Sequence, residues 1–139
     1  MATGTQQMVT GVDFVCVPTQ DFDAAVDFYE NVLGLEKSKQ WGDMPGQEFE
    51  NGTVTIAVMQ PDAFKLDFSP HLLPIAFQVD DVEAARTELE SKGVEFGADT
   101  LDSGVCHMAH FRDPDGNVLM LHHRYAPKDV RPGDAQAAS

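Results

Sequence analysis

Apolar residues along this chain follow two different periods, and the switches between them mark its elements. The runs VDFVCVP (12–18) and LLPIAFQV (72–79) have the length and apolar continuity of buried strands. Each leads into a stretch of helical period, with Phe22, Ala25, Val26, Tyr29, Val32 and Leu33 in the first and Val82, Ala85 and Leu89 in the second. Asp21 stands at the N-cap position of the first helix and Gly34 just past its end. In the second, Asp80 with Glu83 reads as a capping box and Gly93 as the terminator. Further strands are predicted around 35–41, 47–50 and 54–59, then 94–96, 105–111 and 118–122. The sequence Asp113-Pro114-Asp115-Gly116-Asn117 separates the last two, and Pro with Gly and Asn there predicts a tight hairpin turn.

The pattern repeats. DFDAAVDFYENVLGLE (21–36) and DVEAARTELESKGVE (81–95) coincide at Asp21/Asp81, Ala24/Ala84, Ala25/Ala85, Glu30/Glu90, Gly34/Gly93 and Glu36/Glu95 once one residue is skipped in the second copy. Both halves therefore read β-α-β-β-β. The expected organisation is one α+β domain over 9–125, with a first module at about 9–60, a linker at about 61–70 and a second module at about 71–125. Residues 1–8 are expected to be a flexible N-terminus and 126–139 a mobile tail with little to bury.

Composition narrows the function classes. With 9 Lys+Arg against 23 Asp+Glu the formal charge is −14, which repels phosphate backbones and anionic lipid and excludes nucleic acid and membrane as expected partners. No apolar run approaches the ~18 residues of a spanning helix, and the opening MATGTQQMVT lacks the basic and apolar regions of a secretory signal, so a cytoplasmic location is expected. Cys16 and Cys106 form no CxxC pair and are expected as reduced thiols. No P-loop, GxGxxG or GxSxG motif is present.

Three segments together, F14-VCVPTQDFDAAVDFYENVLGL-35, P74-IAFQVDDVEAARTELESKGVEF-96 and A109-HFRDPDGNVLML-121, resemble the vicinal oxygen chelate superfamily. That superfamily includes glyoxalase I, extradiol dioxygenases, fosfomycin-resistance enzymes and bleomycin-resistance proteins. The resemblance implies two βαβββ modules whose strands curl into a cup around a ligand, and a homodimer. It also implies, in the enzymes, a divalent metal held at four positions. Here three of those fall on Phe14, Pro74 and Met120, and the fourth lies around 57–60. Phe and Pro carry no donor atom and a thioether suits Zn²⁺, Mn²⁺ or Fe²⁺ poorly, so no metal and no cofactor is expected.

Strand alternation extends the implied cup from Phe14 to Cys16 and from Met120 to His122, and the resemblance to resistance proteins implies that His110 also lines it, which brings Met108 and Cys106 onto the same face; with Ala76, and Trp41 at the rim, these form the expected lining. The expected function is metal-free binding of a small apolar or aromatic molecule, as sequestration of the resistance type or as a carrier. His110 and His122 are the candidate ligand-orienting or acid–base groups. The alternative is an enzyme: either a metal-free isomerase or lyase using an imidazole base, or a glyoxalase- or dioxygenase-like metalloenzyme with substitute ligands. His71 is read as a loop residue with a lesser claim as a ligand, while His107 and His123 face away from the cup. The Asp113–Asn117 run is read as a turn and not as a calcium loop.

Overall fold

A computed structural model of the chain describes residues 7–127. Most of the N-terminus and tail expected to be flexible lies outside them. The first module runs β1 (Phe14–Pro18), α1 (Phe22–Asp27), β2 (Glu36–Gln40), β3 (Gly46–Glu50) and β4 (Thr55–Met59). The second runs β5 (Ile75–Gln78), α2 (Val82–Ser91), β6 (Leu101–Asp102), β7 (Cys106–Arg112) and β8 (Val118–Arg124). Each forms a mixed four-stranded sheet of the same topology, β1-β4-β3-β2 and β5-β8-β7-β6, with the first strand parallel to the last. This is the α+β repeat expected. No helix among the described residues is long and apolar enough to cross a membrane.

Three local expectations are corrected. The first helix is not uniform: after Asp27 it widens into a π-helical turn, Phe28–Val32, closed by Leu33 N–H donating to the Phe28 carbonyl at 3.0 Å. The wider turn lets the neighbours Phe28 and Tyr29 both be buried, their rings edge-on at 5.4 Å. The N-cap of α2 is Asp81, whose carboxylate accepts from Ala84 N–H at 3.0 Å, while Glu83 takes the Thr100 hydroxyl and leaves the capping box unformed. Finally, Val94 and Phe96 form no strand. They pack on the core as an irregular segment, Phe96 lying 5.2 Å from the Phe111 ring and under the Arg86 guanidinium. The sixth strand is instead the short Leu101–Asp102, paired with Met108 and His107.

One buried cluster takes its members from both sheets and both helices: Val17, Phe49, Ile56 and Val58 from the first sheet, Ala109, Phe111, Leu119 and Leu121 from the second, with Ala25, Phe28 and Tyr29 of the α1 segment and Val82 and Leu89 of α2. Because side chains alternate along a strand, the remaining residues of each sheet face away from this shared core. The sheets thus turn their inner faces toward the helices and their outer faces outward.

The Asp113–Asn117 turn bolts the modules together. Asp113 is 5% exposed and Asn117 0% exposed. One Asp113 oxygen accepts from the amides of Asp115 and Asn117, the other from the Asn117 side chain and from Tyr29 Oη. Asn117 also donates to the Pro18 carbonyl at 2.9 Å and accepts from His71 N–H at 2.8 Å, while Asp115 accepts from Gln20 N–H. With these bonds every buried polar atom of the turn is satisfied. His71 is a loop residue whose backbone serves this network.

Candidate functional site

The outer faces carry all nine residues expected to line the cup, divided between two walls. On the first sheet, Phe14 opposes Thr55, and Cys16 opposes Ala57, which in turn opposes Glu48. Trp41 lies flat on Gly46, where a Cβ would come within 2.2 Å of the indole, so the close approach requires glycine. The indole N–H donates to Glu48 at 2.8 Å, and Phe64, from the 3₁₀ turn after β4, meets the ring edge-on at 5.9 Å. Glu50 accepts from the hydroxyls of Ser38 and Thr55, which hold its carboxyl below the usual range. Burial, and then the Glu48 charge, push the Cys16 thiol up, so at neutral pH it is a protonated thiol and a weak nucleophile.

The second wall is built on β7 and β8. His110 opposes Met120, and Met108 opposes His122; the parallel neighbour β5 extends these rows to Ala76 and Gln78. All four His and Met residues are half-buried, and none belongs to the core cluster. Cys106 is buried at the next row beside Arg124, whose guanidinium lies 3.8 Å from its sulfur. Arg112 bounds the other end.

A single chain does not close these walls into one cup, because both look away from the common core. Clefts of about 900 and 710 Å³ lie instead on the helix side, the first between the ends of β1 and β5 and the second beside the π-helical turn. Of the expected lining, Ala76 borders the first and His110 the second. His107 and His123 form an opposed pair on the inner side of the second sheet, facing away from the outer wall, and are half-buried there. His107 pairs with Asp102 at 3.4 Å and the His123 ring meets the Val79 carbonyl at 3.1 Å.

The sequence reading missed Glu48, Glu50 and Phe64. Strand alternation carried one step further, from Ala57 to its partner on β3, would have found the carboxylates; Phe64 reaches the wall through a turn with no periodic signal.

The donor set for a divalent ion is missing. Phe14 and Pro74 offer no side-chain donor, Met120 offers a thioether, and the outward residues of β4 are Thr55, Ala57 and Met59. Among the described residues no three His, Cys, Asp or Glu side chains converge on a point. These residues do not fit the divalent metal of the enzymes that the sequence resembles.

Comparison with known proteins places this arrangement. A family model described as the Glyoxalase/Bleomycin resistance protein/Dioxygenase superfamily matches residues 11–121. The metallothiol transferase FosB of Shouchella clausii is 28% identical over 123 residues, covering 83% of this chain and 81% of its own. Among solved structures, a superfamily member from Sphaerobacter thermophilus superposes with a TM-score of 0.73 at 25% identity, covering 85% of this chain and 100% of that one. TnmS3, an antibiotic binding protein from a Streptomyces species, does so with a TM-score of 0.72 at 23% identity, covering 86% and 99%.

Proposed function

Since this chain belongs to the glyoxalase/bleomycin resistance protein/dioxygenase superfamily, we propose that it binds a small, largely apolar or aromatic molecule without a divalent metal, sequestering or carrying it. The observation that carries this reading is the replacement of metal-binding positions by Phe14, Pro74 and Met120 on walls that keep aromatic, thioether and imidazole side chains. Such walls supply apolar contact and a few polar anchors, the composition of a small-molecule site. On the first wall Trp41 stacks while Glu48 accepts a hydrogen bond; on the second His110 and His122 orient the ligand. That a protein of the same fold, TnmS3, is an antibiotic binding protein is in keeping with this reading.

The cup is completed by a second copy of the chain. Each chain presents two outward half-walls of unlike charge, with Glu36, Glu48 and Glu50 on the first and Arg112 and Arg124 on the second. A two-fold axis sets the first wall of one chain against the second wall of its partner and closes two equivalent cups. Exposed apolar residues at the mouths of the two edge strands, Val12 just before β1, Phe14 at its start, and Leu72 and Leu73 before β5, are covered in the same step.

Trp41, the one tryptophan of the chain, gives the test. A panel of aromatic antibiotics and metabolites is expected to contain members that quench its fluorescence and raise the melting temperature, with sedimentation at the dimer mass. A monomer, or a panel with no effect on Trp41, refutes the reading.

A further inference from the structure

The β7–β8 pair presents soft donor atoms in a regular pattern. Hydrogen bonds from Asp113 N–H to the Asn117 carbonyl and from Tyr125 N–H to the Val105 carbonyl bracket the ladder. Alternation between these ends makes His110/Met120 and Met108/His122 non-hydrogen-bonded pairs, the class in which opposed side chains stand closest, with Cα atoms about 4.5 Å apart. Each imidazole faces a thioether across the ladder and meets the other imidazole on the diagonal. Among the described residues neither ring has a hydrogen-bond partner, unlike His107 with Asp102 and His123 with Val79. All four side chains stand half-buried on the outer wall, outside the core cluster that would otherwise account for two methionines.

Donor chemistry decides what such a quartet holds. Thioethers are soft ligands that discriminate against Zn²⁺, Mn²⁺ and Mg²⁺ and in favour of Cu(I), and imidazole suits copper as well. We infer that Met108, His110, Met120 and His122 form a site for a soft monovalent d¹⁰ cation, Cu(I). The unbranched methionine side chain has three rotatable bonds with which to bring its sulfur onto an ion between the strands. Met120 is thus the residue whose thioether both removes the divalent site and supplies a donor to the soft one. Arg112 and Arg124, at the two ends of the wall, are drawn away from the quartet by the Gly116 carbonyl and by the Pro127 carbonyl with the Cys106 sulfur. The inference shares His110 and His122 with the organic-ligand reading but involves neither Trp41 nor Glu48, and that reading needs no ion.

The test is an anaerobic Cu(I) titration against the chelator bicinchoninate, made in a C16S/C106S chain so that no thiolate competes. About one ion per chain is expected to be withdrawn from the chelator. M108L/M120L in the same background keeps side-chain volume and is expected to weaken binding about 100-fold. In the same C16S/C106S chain, silver nitrate in chloride-free buffer is expected to shift the ε-methyl resonances of Met108 and Met120 and to leave those of Met8, Met44 and Met59 in place. This second readout needs neither methionine substituted. The inference is overturned if no Cu(I) leaves the chelator, if M108L/M120L binds as tightly as its parent, if other methionines shift instead, or if Zn²⁺ displaces the bound ion. None of these outcomes touches Trp41 quenching, so the ligand reading stands or falls by its own experiment.

Discussion

The Tyr29 hydroxyl donates a 2.7 Å hydrogen bond to the Asp113 carboxylate, joining the π-helical turn of one module to the hairpin turn of the other across 84 positions of sequence. Tyr29 is 0% exposed, so the partner it leaves behind on substitution cannot turn to water. Tyr29→Phe removes one of the four donors on Asp113 and should cost about 1–3 kcal/mol. Urea unfolding checks this: the midpoint falls with the slope unchanged, whereas an unaltered midpoint contradicts the clamp.

The same bond predicts an alkaline limit to stability. Burial first, then the charge and hydrogen bond of Asp113, raise the Tyr29 phenol well above its ordinary value. A group whose folded pKa is raised keeps its full contribution below the unfolded value, about 10, and loses it as pH rises toward the folded value. Stability should therefore fall above about pH 10, with a slope approaching 1.4 kcal/mol per pH unit for this group. Tyr125, raised by its bond to Asp102, acts in the same direction. Denaturation curves from pH 8 to 11 should show a shallower alkaline loss in Tyr29→Phe than in the parent.

Gly46→Ala places a methyl into the Trp41 indole. The ring has to leave the wall and give up its bond to Glu48, so fluorescence should shift to the red and ligand affinity should fall about tenfold or more, with the fold retained. An emission spectrum identical to the parent's would mean that Trp41 is not seated on this face.

Restoring donors should restore a divalent metal. Elemental mass spectrometry of the untagged chain, purified without chelators, is expected to find no stoichiometric Zn, Mn, Fe, Ni or Co, whereas F14H/P74H/M120E is expected to retain Mn²⁺ or Zn²⁺ after desalting. A stoichiometric divalent ion in the unsubstituted chain would contradict the donor argument at Phe14, Pro74 and Met120.

His110→Ala and His122→Ala should each weaken binding of a quenching ligand by about 1–3 kcal/mol while leaving the unfolding midpoint nearly unchanged, since both rings stand outside the core. Calorimetry at neutral pH checks it. Unchanged affinity in both variants removes the second wall from the site.

Much of this molecule is legible along the chain because the signals are local. Helical periodicity located both helices, Asp21 and Gly34 bound the first, and the DPDGN run marked the last hairpin, since backbone conformation there depends on a few neighbouring residues. Alternation, anchored on the positions that the resemblance implies for His110 and Met120, put Met108, His110, Met120 and His122 on one face, and the strand register pairs them there. Where local signals were weak, tertiary packing overrode them. Val94 and Phe96 look like a strand but serve the core from an irregular segment, and a helix of even period was widened at Phe28 so that two adjacent aromatic rings could be buried.

By itself, then, the amino-acid sequence determined the duplicated βαβββ pattern, the faces of its strands and the absence of divalent donors at Phe14, Pro74 and Met120. These follow from side-chain chemistry and from periods of two and 3.6 residues. The tertiary structure decided that the nine residues expected to line a cup stand on two walls with their backs to one core, that Glu48 joins Trp41 on the first, and that Asp113 is a buried clamp as well as a turn residue. The clamp joins residues 84 to 99 positions apart, a range that no local period encodes, whereas Trp41 meets Glu48 across only seven positions, through a hairpin whose register has to be known before the two can be paired.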